Sequence, residues 1–234
     1  MAVEGDSGLQ TEVLEDLAEA VNYRRWLVDL ALPHLGEDPL EVGSGLGHYA
    51  ADWRAAGVPR LTVSEADSAR LAALRQRFAG DSAVLVRELA VPGAEQSSYS
   101  AVVAYNLLEH LADDRAALAG FRDLVRPGGR VVLVVPAFPS AMSRFDRAIG
   151  HQRRYRARSL RAAVESAGLQ VEVLHHVNCV GLLGWYVAVT LLRGRPRAGL
   201  LLMAYDRGVV PWLRRLEARW QPPFGQSLFV VARR

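Results

Sequence analysis

The stretch Pro39-Leu40-Glu41-Val42-Gly43-Ser44-Gly45-Leu46-Gly47-His48 joins a short apolar run to a turn with glycine at every second position. Leu40 and Val42 flanking Glu41 suit a buried strand. Without Cβ atoms, the glycines let the backbone turn sharply and admit a ligand close to the main chain. Glu65 closes the next expected strand, 22 residues beyond Gly43, about where an acid that accepts hydrogen bonds from ribose hydroxyls belongs in a nucleotide-binding βαβ unit. The glycine order is G-x-G-x-G, so the turn departs from the G-x-G-x-x-G fingerprint of dinucleotide-binding folds.

Outward from this turn, strand and helix patterns alternate. Hydrophobic spacing predicts a helix over 48–56, a strand over 60–65, a helix over 68–78, strands over 83–88 and 100–106, a helix over 113–125 and a strand over 129–135. Such alternation implies βαβ units and a parallel sheet covered on both faces. The apolar runs AVVAY (101–105) and RVVLVV (130–135) lack the alternation of half-exposed strands, as strands buried on both faces should. Upstream, Val13, Leu14, Leu17, Val21, Trp26, Leu27 and Leu30 recur at helical spacing, which predicts one or two helices within 11–35. Downstream come a loop rich in Pro, Arg and aromatics (136–155), a helix ending at Ala167-Gly168, a strand over 170–176 and a last strand over 226–232. Between these two strands lie about 50 residues of apolar helix, broken by Arg193-Gly-Arg-Pro-Arg197 and Gln221-Pro-Pro-Phe-Gly225, far more than an ordinary connection.

The expected architecture is a Rossmann-like, doubly wound α/β fold with a mostly parallel seven-stranded sheet, N-terminal helices and a helical insertion before the last strand. It reads as one domain over 1–234: a cap at 1–36, a cofactor half at 37–137, and a substrate half at 138–234 that contains the insertion 179–225.

Composition supports this reading. Of 234 residues, 50% are hydrophobic and 23% charged, which excludes disordered and collagen-like classes. The single cysteine, Cys179, cannot form an internal disulfide, and the acidic start has no apolar segment of the kind that opens a secretory signal. The longest apolar run, 180–192, has 13 residues, too few to span a bilayer, so a cytoplasmic location is expected. Charge is uneven: residues 1–120 carry 9 Arg against 19 acids, net −10, and residues 121–234 carry 19 Arg against 6 acids, net +13. All 28 basic residues are Arg, which a GC-rich genome explains; the split by halves points to an anionic partner such as a phosphorylated substrate, a membrane surface or nucleic acid.

Together, LEVGSGLG (40–47), VSEAD (63–67), YNLLEHLADD (105–114) and LVRPGGRVVLVVP (124–136) resemble the motifs of the class I S-adenosylmethionine-dependent methyltransferases. NYRRW (22–26), GHQRRY (150–155) and PPFGQSLFVVAR (222–233) further resemble a bacterial small-molecule subgroup of that family. The resemblance covers nearly the whole chain and implies that the last strand is antiparallel. It implies S-adenosylmethionine as cofactor and S-adenosylhomocysteine as product. The backbone around Gly43, Gly45 and Gly47 would line the methionine end, Glu65 would bind the ribose and Ala66 would lie beside the adenine. Glu88 stands where the family usually has an Asp near the adenine amino group, Asn106 would contact the methionine moiety, and Glu41, Ser44 and Leu89 complete the set. Tyr23 has two readings, closure over the site and helix packing.

Methyl transfer from a sulfonium is an in-line displacement, so holding the reactants in line can supply most of the catalysis. A hydroxyl acceptor benefits from a general base, for which histidine is suited at neutral pH. His110 follows the fourth strand and His151 the fifth, which places both at the edge where open α/β folds bind ligands. His151 is the better candidate, because the LLEHL context of His110 also suits a packing residue; Tyr155 is the third. These groups favour oxygen over nitrogen as acceptor. The run Arg144–Arg158, with six Arg and Asp146, is either a solvated face or a clamp for phosphate or carboxylate. His175 and His176 have no Cys, Asp or Glu cluster near them in sequence, so no metal site is expected.

A DNA amino-methyltransferase of this family would carry Asp/Asn-Pro-Pro-aromatic where this chain reads Tyr105-Asn-Leu-Leu108, and Cys179 lacks the Pro-Cys context of a pyrimidine C5 enzyme. Nucleic acid is therefore not the expected partner. The insertion reads as a helical cap on the sheet or as an amphipathic lid for a membrane or lipid-like acceptor. The expected function is methyl transfer to a small-molecule acceptor, anionic or lipid-linked. The alternatives are an NAD(P)-dependent oxidoreductase and a non-catalytic module that binds an anionic surface or partner. The pattern carries no signal for an oligomeric state.

Overall fold

Residues 7–90, 98–191 and 199–234 are described in the computed structural model, and seven strands among them form one sheet. The strands are β1 (Leu40–Val42), β2 (Leu61–Glu65), β3 (Val84–Glu88), β4 (Tyr99–Tyr105), β5 (Val125–Pro136), β6 (Gln170–Val177) and β7 (Ser227–Arg233). Their order across the sheet is β3-β2-β1-β4-β5-β7-β6. Strands β1 to β5 pair in parallel, and β7 inserts antiparallel between β5 and β6. The expected doubly wound sheet with one reversed strand is therefore present.

Its centre is buried on both faces. Along β5, Val131, Leu133 and Val135 point to one layer while Val132 and Val134 point to the other. On β7, Leu228, Val230 and Ala232 alternate in the same way with Phe229 and Val231. This period of two explains why these strands read as unbroken apolar runs: both phases of the alternation need a core residue. The first layer is completed by α5 (Asp114–Leu124), through Leu118 and Phe121, and by α7 (Ala157–Ser166), through Leu160 and Val164. The second is built from α2 (Val21–Leu35), through Trp26, Leu27, Ala31 and Leu35, with Trp53 of α3 (His48–Ala55). A smaller cluster packs Leu74 of α4 (Ser68–Arg77) and Phe78 on Leu61 and Val63.

The N-terminal pattern resolves into α1 (Ser7–Ala18) and α2, although the side chains of Val13, Leu14 and Leu17 lie outside what is described. After β5 comes the short α6 (Arg144–Ala148). Among the described residues between β6 and β7, α8 (Cys179–Trp185) runs into a wider π turn over Tyr186–Leu191, and α9 (Leu200–Gly208) and α10 (Val210–Glu217) follow. The expected break at Arg193–Arg197 falls outside the described residues. Among those residues no helix is long and apolar enough to cross a membrane.

The two acids of the insertion are structural. Asp206 of α9, 2% exposed, accepts the backbone N–H groups of Asn22 and Tyr23, each at 2.9 Å, and the Asn22 side-chain amide at 3.0 Å. It caps the start of α2, which has no side-chain cap of its own at Ala20. Glu217 of α10 likewise accepts the N–H groups of Asn178 and Cys179 where α8 begins. Replacing Asp206 by Ala leaves buried donors unpaired and should lower unfolding stability by about 1–3 kcal/mol. Urea denaturation checks this, and a midpoint equal to the parent's would mean that water reaches those donors.

Candidate active site

Strands β1 and β4 are neighbours from which the chain continues to opposite sides of the sheet, and the crevice at their carboxyl ends is where open α/β folds take ligands. The glycine turn leaves β1 there. Gly43, Gly45 and Gly47 have φ values of +72°, +55° and +75°, a region that penalises any Cβ. Space adds a second demand: a Cβ on Gly47 would stand 2.8 Å from Leu74 and 2.9 Å from Phe78, and one on Gly43 would stand 3.0 Å from Leu107. The turn thus packs against α4 and the segment after β4 while presenting its backbone to the crevice.

Glu65 fastens this turn. Its Oε2 accepts the Gly45 N–H at 3.0 Å, and Oε1 accepts those of Ala66 at 2.9 Å and Asp67 at 3.0 Å. Arg70 of α4 stands 3.5 Å from Oε1. An acid read from sequence as a ribose ligand therefore also fixes the loop that follows β1. Buried Ser44 donates its backbone N–H to the Ser64 carbonyl and so ties the turn to β2. Glu41 is 2% exposed, burial pushes its carboxyl up to about 8, and its Oε2 has no partner. Ala66 and Glu88 are exposed, with Glu88 level with Glu65 across the β2–β3 pair, and Leu89 packs partly buried against the core.

Asn106 lies just past β4, exposed and at φ +49°, with its N–H bonded to the Val134 carbonyl. Tyr23 is held in place: its hydroxyl is 3.3 Å from Ser227 Oγ at the start of β7, and its ring meets Trp26 edge-on. Burial pushes its phenol up to about 12. Ser227 pairs with Pro136 at the end of β5, so Tyr23 joins α2 to the functional edge of the sheet while also packing within the helix layer.

Beyond β4 and β5 the structure gathers a group that sequence separation concealed. Glu109 and His110 end a short 3-10 turn over Leu108–His110, and His151 arrives 41 residues later behind α6. The rings of His110 and His151 are perpendicular with centroids 4.6 Å apart, and His151 Nε2 is 3.9 Å from Glu109 Oε1. On its other side, His151 Nδ1 stands 3.0 Å from Asp146 Oδ1, close but off the line of an aligned N–H···O bond. Backbone bonds lock the arrangement, from His151 N–H to the Asp146 carbonyl and from Gln152 N–H to the Glu109 carbonyl.

Asp146 is fully buried. Its Oδ2 accepts the Ser143 N–H at 2.6 Å and hydroxyl at 2.7 Å, and Arg154 reaches Oδ1 at 2.7 Å. Burial alone would raise this carboxyl, but His151, Arg154 and Ser143 outweigh burial and hold it well below the usual range. The opposite happens to Glu109, which burial pushes up to about 7, and to His110, which burial and the neighbouring His151 push down to about 3.

Tyr155, the third expected catalytic group, is 4% exposed, and its hydroxyl donates to Asp114 at the start of α5. The arginine run divides: Arg154 is buried on Asp146, Arg153 pairs with Asp114 at 3.1 Å, and Arg144, Arg147, Arg156 and Arg158 are exposed. His175 and His176 pack on Phe229 and Phe138 rather than joining an acid cluster. Asp146 and Glu109 were not singled out from sequence. Their signals, an acid three residues after Ser143 in a capping pattern and an acid before His110, became specific only once β4 and β5 lay side by side.

Residues 40–131 match the family described as a methyltransferase domain. No match was found among curated protein sequences. Among solved structures, the chain is similar to an S-adenosylmethionine-dependent methyltransferase from Mesorhizobium loti, with 16% identity and a TM-score of 0.60 over 88% of this chain and 95% of that one. It is also similar to geranyl diphosphate C-methyltransferase from Streptomyces coelicolor A3(2), solved with Mg2+, geranyl diphosphate and S-adenosyl-L-homocysteine, with 15% identity and a TM-score of 0.63 over 88% and 79% of the two chains. The [4+2]-cyclase SpnF aligns too, at 16% identity and a TM-score of 0.57 over 90% and 80%. At such identities the likeness is one of fold.

Because Arg154 and Asp146 are 2% and 0% exposed, removing the cation strands a buried anion. Arg154→Met should therefore cost about 3–5 kcal/mol of stability. Asp146→Asn combined with Arg154→Met should cost less than the two single changes added together, which a double-mutant cycle in urea would measure.

Proposed function

We propose that this chain is a class I S-adenosylmethionine-dependent methyltransferase and that it methylates an oxygen of a small acceptor that carries an apolar body, a reading supported by the methyltransferase-domain match at residues 40–131 and by the likeness of fold. The observation that carries the acceptor reading is His151, held by Asp146 at the carboxyl edge of the sheet and 3.9 Å from Glu109. S-adenosylmethionine, when bound, supplies a methyl group on a sulfonium sulfur. The chain's own residues suit that group. Glu41 offers a buried acceptor oxygen without a partner, the left-handed turn Gly43–Gly47 exposes backbone, and Asn106 sits exposed at the end of the neighbouring strand. In this reading Glu41, Ser44 and Asn106 hold the amino-acid end, Glu65 the ribose, and Ala66, Glu88 and Leu89 border the base, while Tyr23 walls the site from α2.

Catalysis is then mostly positioning, with one proton to manage. Asp146 orients the His151 ring, and His151 takes the proton of the acceptor hydroxyl as the oxygen is methylated. Tyr155 serves structure instead, because its hydroxyl is committed to Asp114. An apolar cavity of about 260 Å³, lined by Phe138, Ser140, Ala141, Leu182, Tyr186 and Val187 among others, offers room for the body of the acceptor. It adjoins the charged group: Trp185 donates to the Ala141 carbonyl, and the Arg154 guanidinium lies 4.7 Å over the Trp185 ring.

A second reading, peripheral contact with a membrane carrying an anionic or lipid-linked acceptor, is favoured by the insertion. Leu183, Leu200, Leu201 and Trp212 are 59%, 86%, 85% and 70% exposed, and Arg207, Arg215 and Arg219 are exposed nearby in sequence. With both acids of the insertion buried, its exposed described groups are largely apolar side chains and arginines. Cys179, a buried free thiol, accords with a reducing cytoplasm.

Calorimetric titration should give micromolar binding of S-adenosylmethionine and S-adenosylhomocysteine and none of NAD; NAD binding would replace this reading with that of an oxidoreductase. Gly45→Val should abolish adenosyl binding while leaving the circular dichroism spectrum intact. Glu65→Ala should weaken binding by about 1–3 kcal/mol, as expected for lost charged hydrogen bonds. Once an acceptor is found, His151→Ala should lower kcat by about 10²–10⁴-fold without a matching loss of cofactor affinity. An unchanged kcat would remove His151 from the proton path.

A further inference from the structure

We propose that Glu109, His110 and His151 form a binding site for a divalent first-row transition cation. One donor atom from each lies within 4.8 Å of the other two. Proximity alone would be weak grounds, but these groups also lack partners. Glu109 is 0% exposed and neither carboxylate oxygen has a hydrogen bond, and His110 Nδ1 is likewise buried without one. A buried carboxylate without a hydrogen bond is costly, and the groups that border this one are two imidazoles, with His151 Nε2 at 3.9 Å. A cation at their centre would satisfy all three at once.

The surroundings are those of a ligand shell. Asp146 stands 3.0 Å from His151 Nδ1, near enough that a small rotation of the ring would let the carboxylate accept this N–H and turn the other nitrogen towards a metal. Asp146 is itself fixed by Ser143 and Arg154, so it can hold the ring firmly. His110 is packed edge-on against the His151 ring, with centroids 4.6 Å apart. Two imidazoles and one carboxylate suit zinc, cobalt, iron or manganese better than calcium or magnesium, which prefer all-oxygen shells. Bond lengths of about 2.0–2.2 Å would put donor atoms about 3–4 Å apart, so the three must close by about an ångström, within reach of side-chain rotation. The His151 side chain is 10% exposed, which leaves one side of the cluster open, as in metal sites that keep a position for substrate.

Binding of the cation does not depend on the acceptor assigned above; only its consequence rests on that reading. An acceptor oxygen bound to the cation would be acidified, and His151 would then be a ligand rather than the base.

The test uses the full chain, dialysed against a chelator. Titration with Co2+ should yield a single equivalent bound with visible ligand-field absorption, displaced by Zn2+ but not by a large excess of Mg2+ or Ca2+. Glu109→Gln, which keeps the shape of the side chain and removes the buried charge, and His151→Asn should each abolish the Co2+ bands in protein whose circular dichroism matches the parent's. Asp146→Asn should weaken affinity by about 10–100-fold without abolishing it, as expected for an outer partner. Absence of Co2+ bands and of Zn2+ heat in the parent would overturn the proposal and leave Glu109 as a site that holds a proton. Bands that persist unchanged in Glu109→Gln and His151→Asn would overturn it as well, by placing the metal elsewhere. Neither result bears on adenosyl binding, so failure here is separable from failure of the methyltransferase reading.

Discussion

Burial of both faces of β4, β5 and β7 governs what the rest of the molecule can do. With every side chain in the middle of these strands committed to one helix layer or the other, a polar group placed there would have no partner, and a ligand would have no room. Groups free to meet a ligand are found where strands end. The glycine turn after β1, Asn106 after β4, the Glu109–His110 turn beyond it and His151 after β5 all obey that constraint.

Buried carboxylates then organise those strand ends. Glu65, Asp206 and Glu217 each accept two or more backbone N–H groups, and Asp146 accepts one together with a hydroxyl and a guanidinium. Each holds a turn or helix start, which is how a buried charge becomes stabilising instead of costly. Two buried acids behave otherwise: Glu41 has one unpartnered oxygen and Glu109 has two. They are also the two whose carboxyls burial raises most clearly. That contrast separates acids that build the scaffold from acids left without such partners, and the latter lie in β1 and in the turn after β4.

Fold likeness alone does not choose the reaction. The same architecture aligns with two methyltransferases and with a [4+2]-cyclase, so a reaction must be argued from this chain's own side chains. In this chain those include an Asp146–His151 pair, an apolar cavity lined in part by Ala141 and Phe138, and an insertion whose two acids are buried while Arg207, Arg215 and Arg219 are exposed.

Periodicity and glycine spacing were enough to read the alternating strands and helices, the two-faced burial of β4 and β5, and the turn at Gly43–Gly47, because each depends on residues adjacent in the chain. The strand boundaries read from the sequence lie within a few residues of those in the sheet; the largest shift is at β5, which begins at Val125 because its pairing with Tyr99 extends past the Pro127-Gly-Gly129 segment. Side-chain partnership was not legible in the same way. Nothing in the local sequence says that Asp206 caps a helix 184 residues away, that Tyr155 spends its hydroxyl on Asp114, or that Glu109 and His151 face one another. Those relations follow from the parallel crossover that sets β4 beside β5 and from the return of β7 between β5 and β6. A hydrogen bond or an ion pair acts over a few ångströms in space, whereas sequence pattern reports only what lies a few residues along the chain.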